Sequence, residues 1–283
     1  MTVLEVIQKS TEFLAKKGVD SPRLQTELLL SHVLKMARMK LYLNFARQLT
    51  EPEADTLREL ILRRGRREPV QHILGSTSFC GFEISVNRDV LVPRPETELL
   101  AELAWQFLST SNHQPATAFD FGTGSGCLAI AIGVKCPTAH IVAADISPAA
   151  IAVATQNAVR HGASDRIEFH CGAGFAALPA NSRFDLIVSN PPYIPSGEIE
   201  SLQPEVRDFD PRAALDGGPD GLSFYRLIAE KGAPFLKAHG KIMLELGDGQ
   251  AETAREIFDA QKWIVEAIKQ DYTQRSRILI ARR

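Results

Sequence analysis

The sequence predicts an α/β protein: a doubly wound, mostly parallel sheet of seven strands, preceded by a small all-helical region and a β-hairpin. Three observations carry this. From about residue 115, short apolar runs alternate with helical stretches, the pattern of strands whose crossover helices cover both sheet faces. A glycine-rich turn follows the first of those runs. The first 75 residues, by contrast, show only helical periodicity. The expected division is residues 1–75 for the helical domain, 76–92 for the hairpin linker and 93–283 for the α/β domain.

The elements follow in order. Val3, Leu4, Ile7, Phe13 and Leu14 give an amphipathic helix before Gly18. Ser21-Pro22 reads as a second start, with Ser as N-cap and Pro in the first turn. Its apolar side carries Leu24, Leu28 and Val33. The run Thr50-Glu51-Pro52-Glu53 is a capping box opening a third helix toward Arg64. Phe79, Phe82, Ile84 and Val86 alternate with polar residues around Gly81, which reads as a hairpin. Pro93-Arg94-Pro95 ends it, and a helix begins near Thr97. The seven candidate strands are residues 118–121, 141–145, 167–171, 186–189, 241–246, 263–268 and 278–281. Helices are expected over 148–161, 223–236 and 250–260.

Composition narrows the function classes. The chain has 283 residues, 45% of them hydrophobic and 23% charged, enough to bury a core without a metal or disulfide staple. Net charge is −2, which is not the footprint of a protein whose surface tracks phosphates. Charge is uneven: residues 1–77 hold 13 Lys/Arg against 9 Asp/Glu, including Arg63, Arg64, Arg66 and Arg67. That run reads either as a solvated helix face or as a patch for an acidic or RNA-bound partner. Cys80, Cys127, Cys136 and Cys171 form no metal-ligand spacing and read as small packed residues of a reduced protein; His32 and His72 likewise read as non-ligands, so no metal is expected. No signal peptide or membrane span is visible, so a cytoplasmic monomer is expected.

The chemistry starts at Asp120-Phe121-Gly122-Thr123-Gly124-Ser125-Gly126, between the first strand and a helix. Glycines let the backbone turn tightly and approach a ligand closely. The spacing is GxGxG. A dinucleotide fingerprint needs a later glycine where Cys127 stands, and a P-loop needs a Gly-Lys pair that is missing. This form resembles class I methyltransferases. Asp145 ends the second strand, where a carboxylate can accept both hydrogens of a ribose diol. Its other reading, an N-cap, is already supplied by Ser147-Pro148. Together these point to an adenosine-bearing cofactor.

Asn190-Pro191-Pro192-Tyr193 follows the fourth strand. Two prolines fix φ and keep the preceding residue extended, so the Asn190 side chain and the Pro191 carbonyl are presented rigidly. Both are acceptors, and a substrate NH₂ group has two donors. Held so, a delocalised amide or exocyclic amino nitrogen is aimed at an electrophilic methyl group, and orientation does most of the work. Carbonyl dipoles can stabilise the charge that develops on nitrogen. Tyr193 can stack on the flat group.

With these motifs in place, the chain resembles the release factor glutamine methyltransferases across nearly its whole length. The resemblance rests on Gln71-His72-Ile73-Leu74-Gly75, on Pro93-Arg94-Pro95-Glu96-Thr97-Glu98, on the Gly122–Gly126 loop and on Asn190–Tyr193. It also rests on Ala214-Leu215-Asp216-Gly217-Gly218, Asp220-Gly221-Leu222 and Glu245-Leu246-Gly247 with Gln250. The Pro93–Glu98 run is the most specific of these, since methyltransferases acting on DNA and RNA amino groups share the Asn-Pro-Pro-Tyr motif. The resemblance implies S-adenosyl-L-methionine as cofactor, held by Gly122, Thr123, Gly124, Ser125, Gly126 and Asp145, with Asn190 beside it. Phe175 falls where the family often has Trp and is implied to lie against the adenine. Asn190, Pro191, Pro192 and Tyr193 are implied to bind the substrate amide, with Asn190, Pro191 and Tyr193 catalytic. The implied reaction is N5-methylation of the glutamine in the GGQ motif of class 1 peptide chain release factors, without direct nucleic-acid binding. The alternatives are an adenine or cytosine amino group, or a ribosomal-protein glutamine.

Overall fold

A computed structural model describes residues 1–110 and 115–283. The chain forms two compact units: residues 1–76 with Gln203–Phe209, and residues 77–202 with 210–283.

The first unit packs helices α1 (Val3–Lys16), α2 (Pro22–Leu34), α3 (Arg38–Tyr42), α4 (Glu51–Gly65) and α5 (Val70–Leu74). Their apolar stripes meet in one core that includes Ile7, Leu14, Leu29, Leu30, Leu41 and Ile61. Thr50 caps α4 as the sequence predicts: its hydroxyl accepts from the Glu53 amide, and the Glu53 carboxylate accepts from the Thr50 amide at 2.9 Å. Ser21 precedes α2 as expected but does not cap it through its side chain; it sits in the left-handed region at φ 48°. The basic run divides: Arg66 is exposed, as a solvated face would have it, whereas Arg63, Arg64 and Arg67 are drawn into ion pairs. Arg64 is 2% exposed and donates to Glu205 at 2.5 Å, Arg67 grips the same carboxylate at 2.6 Å, and Arg63 pairs with Glu68. The reason is a partner distant in sequence: Glu205 lies in the Gln203–Phe209 segment, which folds with this unit.

The second unit begins with a two-stranded hairpin, β1 (Ser76–Phe79, its last three residues in this unit) and β2 (Phe82–Ser85), followed by α6 (Pro95–Ser109). Then come β3 (Thr117–Phe121), α7 (Cys127–Lys135), β4 (His140–Asp145), α8 (Pro148–Arg160), β5 (Ile167–Cys171) and β6 (Phe184–Ser189). The short α9 (Pro204–Arg207) falls within the returning segment, and α10 (Arg212–Leu215), α11 (Ser223–Lys231), β7 (Leu236–Glu245), α12 (Ala251–Ala260), β8 (Ile264–Gln270) and β9 (Ser276–Arg282) complete the chain. The sheet order is β5-β4-β3-β6-β7-β9-β8. Pairs from β5 to β7 are parallel, and β9 runs antiparallel to both β7 and β8. The seven-stranded, doubly wound class I methyltransferase fold expected from the sequence is therefore present.

The period-2 pattern builds two cores. Ala118, Ile141, Ala143, Leu186 and Val188 face the layer containing α6, α7 and α8. Phe119, Phe121, Ile187, Ile242 and Leu244 face the other, with α11 and α12. One boundary differs from expectation. The helix read as 223–236 stops at Lys231, because Gly232 and Pro234 break it into a short 3₁₀ turn, and β7 takes over at Leu236. Among the described residues, no helix is long and apolar enough to cross a membrane.

Candidate active site

The chain leaves β3 for β4 on one side and returns through β6 on the other, so a crevice opens at the carboxyl ends of β3, β4 and β6. A cavity of about 290 Å³ lies there. Gly122, Gly124, Asp145 and Asn190 all line it, which brings the two sequence motifs to one place.

The glycine turn is held by the strand beside it. The amides of Gly122 and Thr123 both donate to the Ala144 carbonyl, at 2.9 and 3.0 Å. Gly122 and Gly124 have φ of 75° and 54°, and a Cβ built on either would meet no protein atom within 4 Å. The backbone conformation demands glycine there, and the space beside it is open. The other three loop residues support the turn. Thr123 is buried and donates to Asp120 at 2.7 Å. Ser125 is buried, and its carbonyl accepts from Asn157 at 2.9 Å. Gly126 precedes α7, where a Cβ would stand 3.0 Å from that of Ala154 on α8. Burial pushes the Asp120 carboxyl up to about 7, opposed by its bond from Thr123.

Asp145 accepts the Gly124 amide on one oxygen and the Ser147 amide on the other, both at 2.9 Å. Ser147 caps α8, as expected. A carboxylate has about four acceptor positions, so two remain for hydroxyl donors. Ile146, next in sequence, is 66% exposed and also lines the cavity. Phe175 does not line it. Its ring stacks on Phe235 at 4.8 Å and meets Phe121 edge-on, within the apolar core. An all-carbon ring has no polar edge to keep near water and gains most from full burial. The apolar wall comes instead from Phe121, Ala173, Gly174, Phe224 and Leu227, and Asp89, Val90 and Leu91 line the cavity as well. Apart from Phe121, which precedes Gly122 in the glycine turn, those residues carry no motif of their own in the sequence.

Of the Asn-Pro-Pro-Tyr residues, Asn190 and Pro192 reach the cavity, whereas Pro191 and Tyr193 do not line it. Tyr193 is part of the loop's support: Gln250 donates to its carbonyl at 2.9 Å, and Ile194 pairs with the Leu215–Gly217 segment. A Cβ on Gly217 would lie 2.8 Å from the Pro192 carbonyl oxygen, which explains a glycine after Asp216. Burial, reinforced by Glu245, pushes the Tyr193 hydroxyl up to about 12, so it stays protonated. The Asn190 amide donates from Nδ2 to the Thr97 hydroxyl at 3.1 Å, and that hydroxyl donates to Glu245 at 2.7 Å.

Two family models match the chain, the PrmC N-terminal domain over residues 5–75 and the methyltransferase small domain over residues 99–203. A release factor glutamine methyltransferase of Geobacter sulfurreducens is 48% identical over 91% of this chain and 88% of its own. The chain belongs to the release factor glutamine methyltransferase family. A second relative of that name, from Chlorobaculum tepidum, is 41% identical over 98% of this chain and 95% of its own. A methyltransferase crystal structure from Pyrococcus furiosus shares the fold, with a TM-score of 0.52 at 18% identity over 72% of this chain and 90% of that one.

Members of this family are S-adenosyl-L-methionine-dependent methyltransferases, and this chain is one. The residues present fit that cofactor. Open space stands over Gly122 and Gly124, Asp145 keeps acceptor capacity for a diol, and Ile146 with Phe224 offers apolar surface to a flat ring.

Proposed function

We propose that this chain methylates the side-chain amide nitrogen of the glutamine in the GGQ motif of class 1 peptide chain release factors. The observation that carries this reading is that Asn190, an amide acceptor on a rigid Pro-Pro turn, opens on the same cavity as Gly122, Gly124 and Asp145. Family membership supplies the substrate class.

When bound, S-adenosyl-L-methionine supplies an electrophilic methyl group on a sulfonium. Gly122, Gly124 and Asp145 would hold it, with Ile146 and Phe224 against the purine. The protein's part is orientation. Asn190 accepts from one N–H of the glutamine amide; the Pro191 carbonyl, outside the cavity lining itself, would take the other at its edge, which turns the nitrogen lone pair toward the methyl group. The same acceptors stabilise the positive charge that grows on nitrogen. Pro192 closes the cavity wall. Tyr193, kept protonated, serves through its backbone and packing rather than as a base. The helical unit at residues 1–76 is assigned the recognition of the release factor.

The test is methyl transfer from labelled cofactor to a purified, unmodified class 1 release factor, beside one whose GGQ glutamine is alanine. Label in the first and none in the second is expected. Equal label in both would refute the target residue, and no label in either would refute the substrate. Asn190→Ala should lose most turnover with cofactor affinity within about twofold of wild type, and Asp145→Ala should chiefly weaken cofactor binding. The opposite pattern would overturn these roles.

A further inference from the structure

We propose that Thr97 and Glu245 are positioning residues that decide which end of the Asn190 amide faces the substrate. The proposal deepens the reading of Asn190 given above and rests on it.

An asparagine amide has two ends of nearly equal size. Turning it by half a revolution exchanges a donor for an acceptor with little steric consequence, so only the polarity of its hydrogen bonds selects the orientation. The distinction matters here. A substrate NH₂ group presents two N–H donors, so Oδ1 binds it, whereas Nδ2 would set donor against donor.

The hydrogen bonds around Thr97 settle the choice. Thr97 is 2% exposed and Glu245 is 1% exposed, so water does not compete for either group. The Thr97 hydroxyl carries one hydrogen. A carboxyl oxygen of Glu245 stands 2.7 Å away and accepts it. What the hydroxyl has left for its neighbour is a lone pair, and only an N–H can meet a lone pair. Asn190 therefore turns Nδ2 to Thr97, at 3.1 Å, and Oδ1 is the end left for the cavity that Asn190 lines. Each link comes from a separate element: Thr97 from the first turn of α6, Asn190 from the residue after β6, and Glu245 from the end of β7. Strands β6 and β7 are adjacent, with Ser189 opposite Leu244, which brings Asn190 and Glu245 to the same level. The arrangement gives a role to two sequence runs, Pro93–Glu98 and Glu245–Gly247, to which residue chemistry alone assigned none. Arg277 from β9, Arg94 and Glu96 beside Thr97, and the hydroxyls of Tyr193 and Tyr225 also face Glu245. None of them replaces the Thr97 contact.

Removing the acceptor should reverse the relay. Without Glu245 the Thr97 hydrogen is free to donate to Asn190, and the amide turns its nitrogen outward even though Thr97 and Asn190 are both intact. The experiment compares Glu245→Met, Glu245→Gln, Thr97→Val and Thr97→Ser with wild type and Asn190→Ala. It measures kcat and KM for an unmodified class 1 release factor, cofactor Kd by calorimetry, and thermal stability. Glu245→Met and Thr97→Val are expected to lower kcat by at least about tenfold while cofactor Kd stays within about twofold. Glu245→Gln, whose side-chain oxygen still accepts, and Thr97→Ser, which keeps the hydroxyl, should stay within about threefold of wild type. A folded Glu245→Met enzyme with wild-type kcat would overturn the proposal. If that variant does not fold, the Thr97 pair decides: Thr97→Val as active as Thr97→Ser would overturn it equally. Near wild-type turnover in Asn190→Ala would refute the reading of Asn190 itself, and the orientation claim with it. An inactive Asn190→Ala beside fully active Glu245→Met and Thr97→Val would refute the orientation claim alone.

Discussion

Asn157 is the residue whose loss has the most calculable effect on the cofactor turn. It lies on α8, 1% exposed, and makes three hydrogen bonds to two segments. Its oxygen accepts the Ser85 amide at 2.8 Å, and its nitrogen donates to the carbonyls of Ser85 at 3.0 Å and Ser125 at 2.9 Å. It thus ties the hairpin and the glycine turn to one helix. In Asn157→Ala the two Ser85 groups are half-buried and recover some solvation, which sets their cost at about 0.5–1 kcal/mol each. The Ser125 carbonyl is buried and left without this donor, at about 1–3 kcal/mol. The sum is about 2–5 kcal/mol, a large share of the roughly 5–15 kcal/mol that keeps a domain folded. The chain's two tryptophans, Trp105 and Trp263, both lie in the second unit, so tryptophan fluorescence during urea unfolding reports that unit. The midpoint should fall with an unchanged slope, and cofactor affinity should fall as well, because Ser125 sits inside the turn. An unfolding free energy within about 0.5 kcal/mol of wild type would refute the reasoning.

Two further outcomes follow from buried charge. Glu205→Ala leaves Arg64 buried without its carboxylate; because Glu205 itself is partly exposed, the cost should be about 2–3 kcal/mol. It should show as lost hydrogen-exchange protection in α2 and α4, and unchanged protection there would count against it. Glu245 behaves differently. Burial pushes its carboxyl up to about 7 from an ordinary 4.5, so the folded state resists ionisation. The associated stability is fully present below about pH 4.5 and is lost as pH rises through about 7, amounting to about 3 kcal/mol. Glu245→Gln has no such loss, so the stability difference should move in the variant's favour between pH 5 and 8. A pH-independent difference would show that Glu245 titrates normally.

Much of the fold was legible because its signals are local. The capping box at Thr50, the Ser147 cap, the alternating strand pattern and the glycine turn each lie within a few residues of sequence. What escaped depends on distant partners. Thr97 and Glu245 are 148 positions apart, and Arg64 and Glu205 are 141 apart. No periodicity links such pairs, so Arg64 read as a surface cation and Glu245 as part of a motif without chemistry. Phe175 shows a different limit: its neighbours Phe119, Phe121 and Phe235 draw it into an aromatic cluster that only the folded sheet assembles.

The position of β9 has a consequence for synthesis. It follows β8 in the chain yet lies between β8 and β7. As the ribosome adds residues in order, β7 emerges with one edge unpaired, and β8 has no strand to join until β9 is made. That open edge is a template for pairing with other chains. Arg277, which donates to the Leu246 carbonyl and faces Glu245, also arrives only with β9. The support around Glu245 therefore assembles only after β9 has been made, and a nascent chain without that strand holds the Asn-Pro-Pro-Tyr motif before Arg277 can reach Leu246 and Glu245.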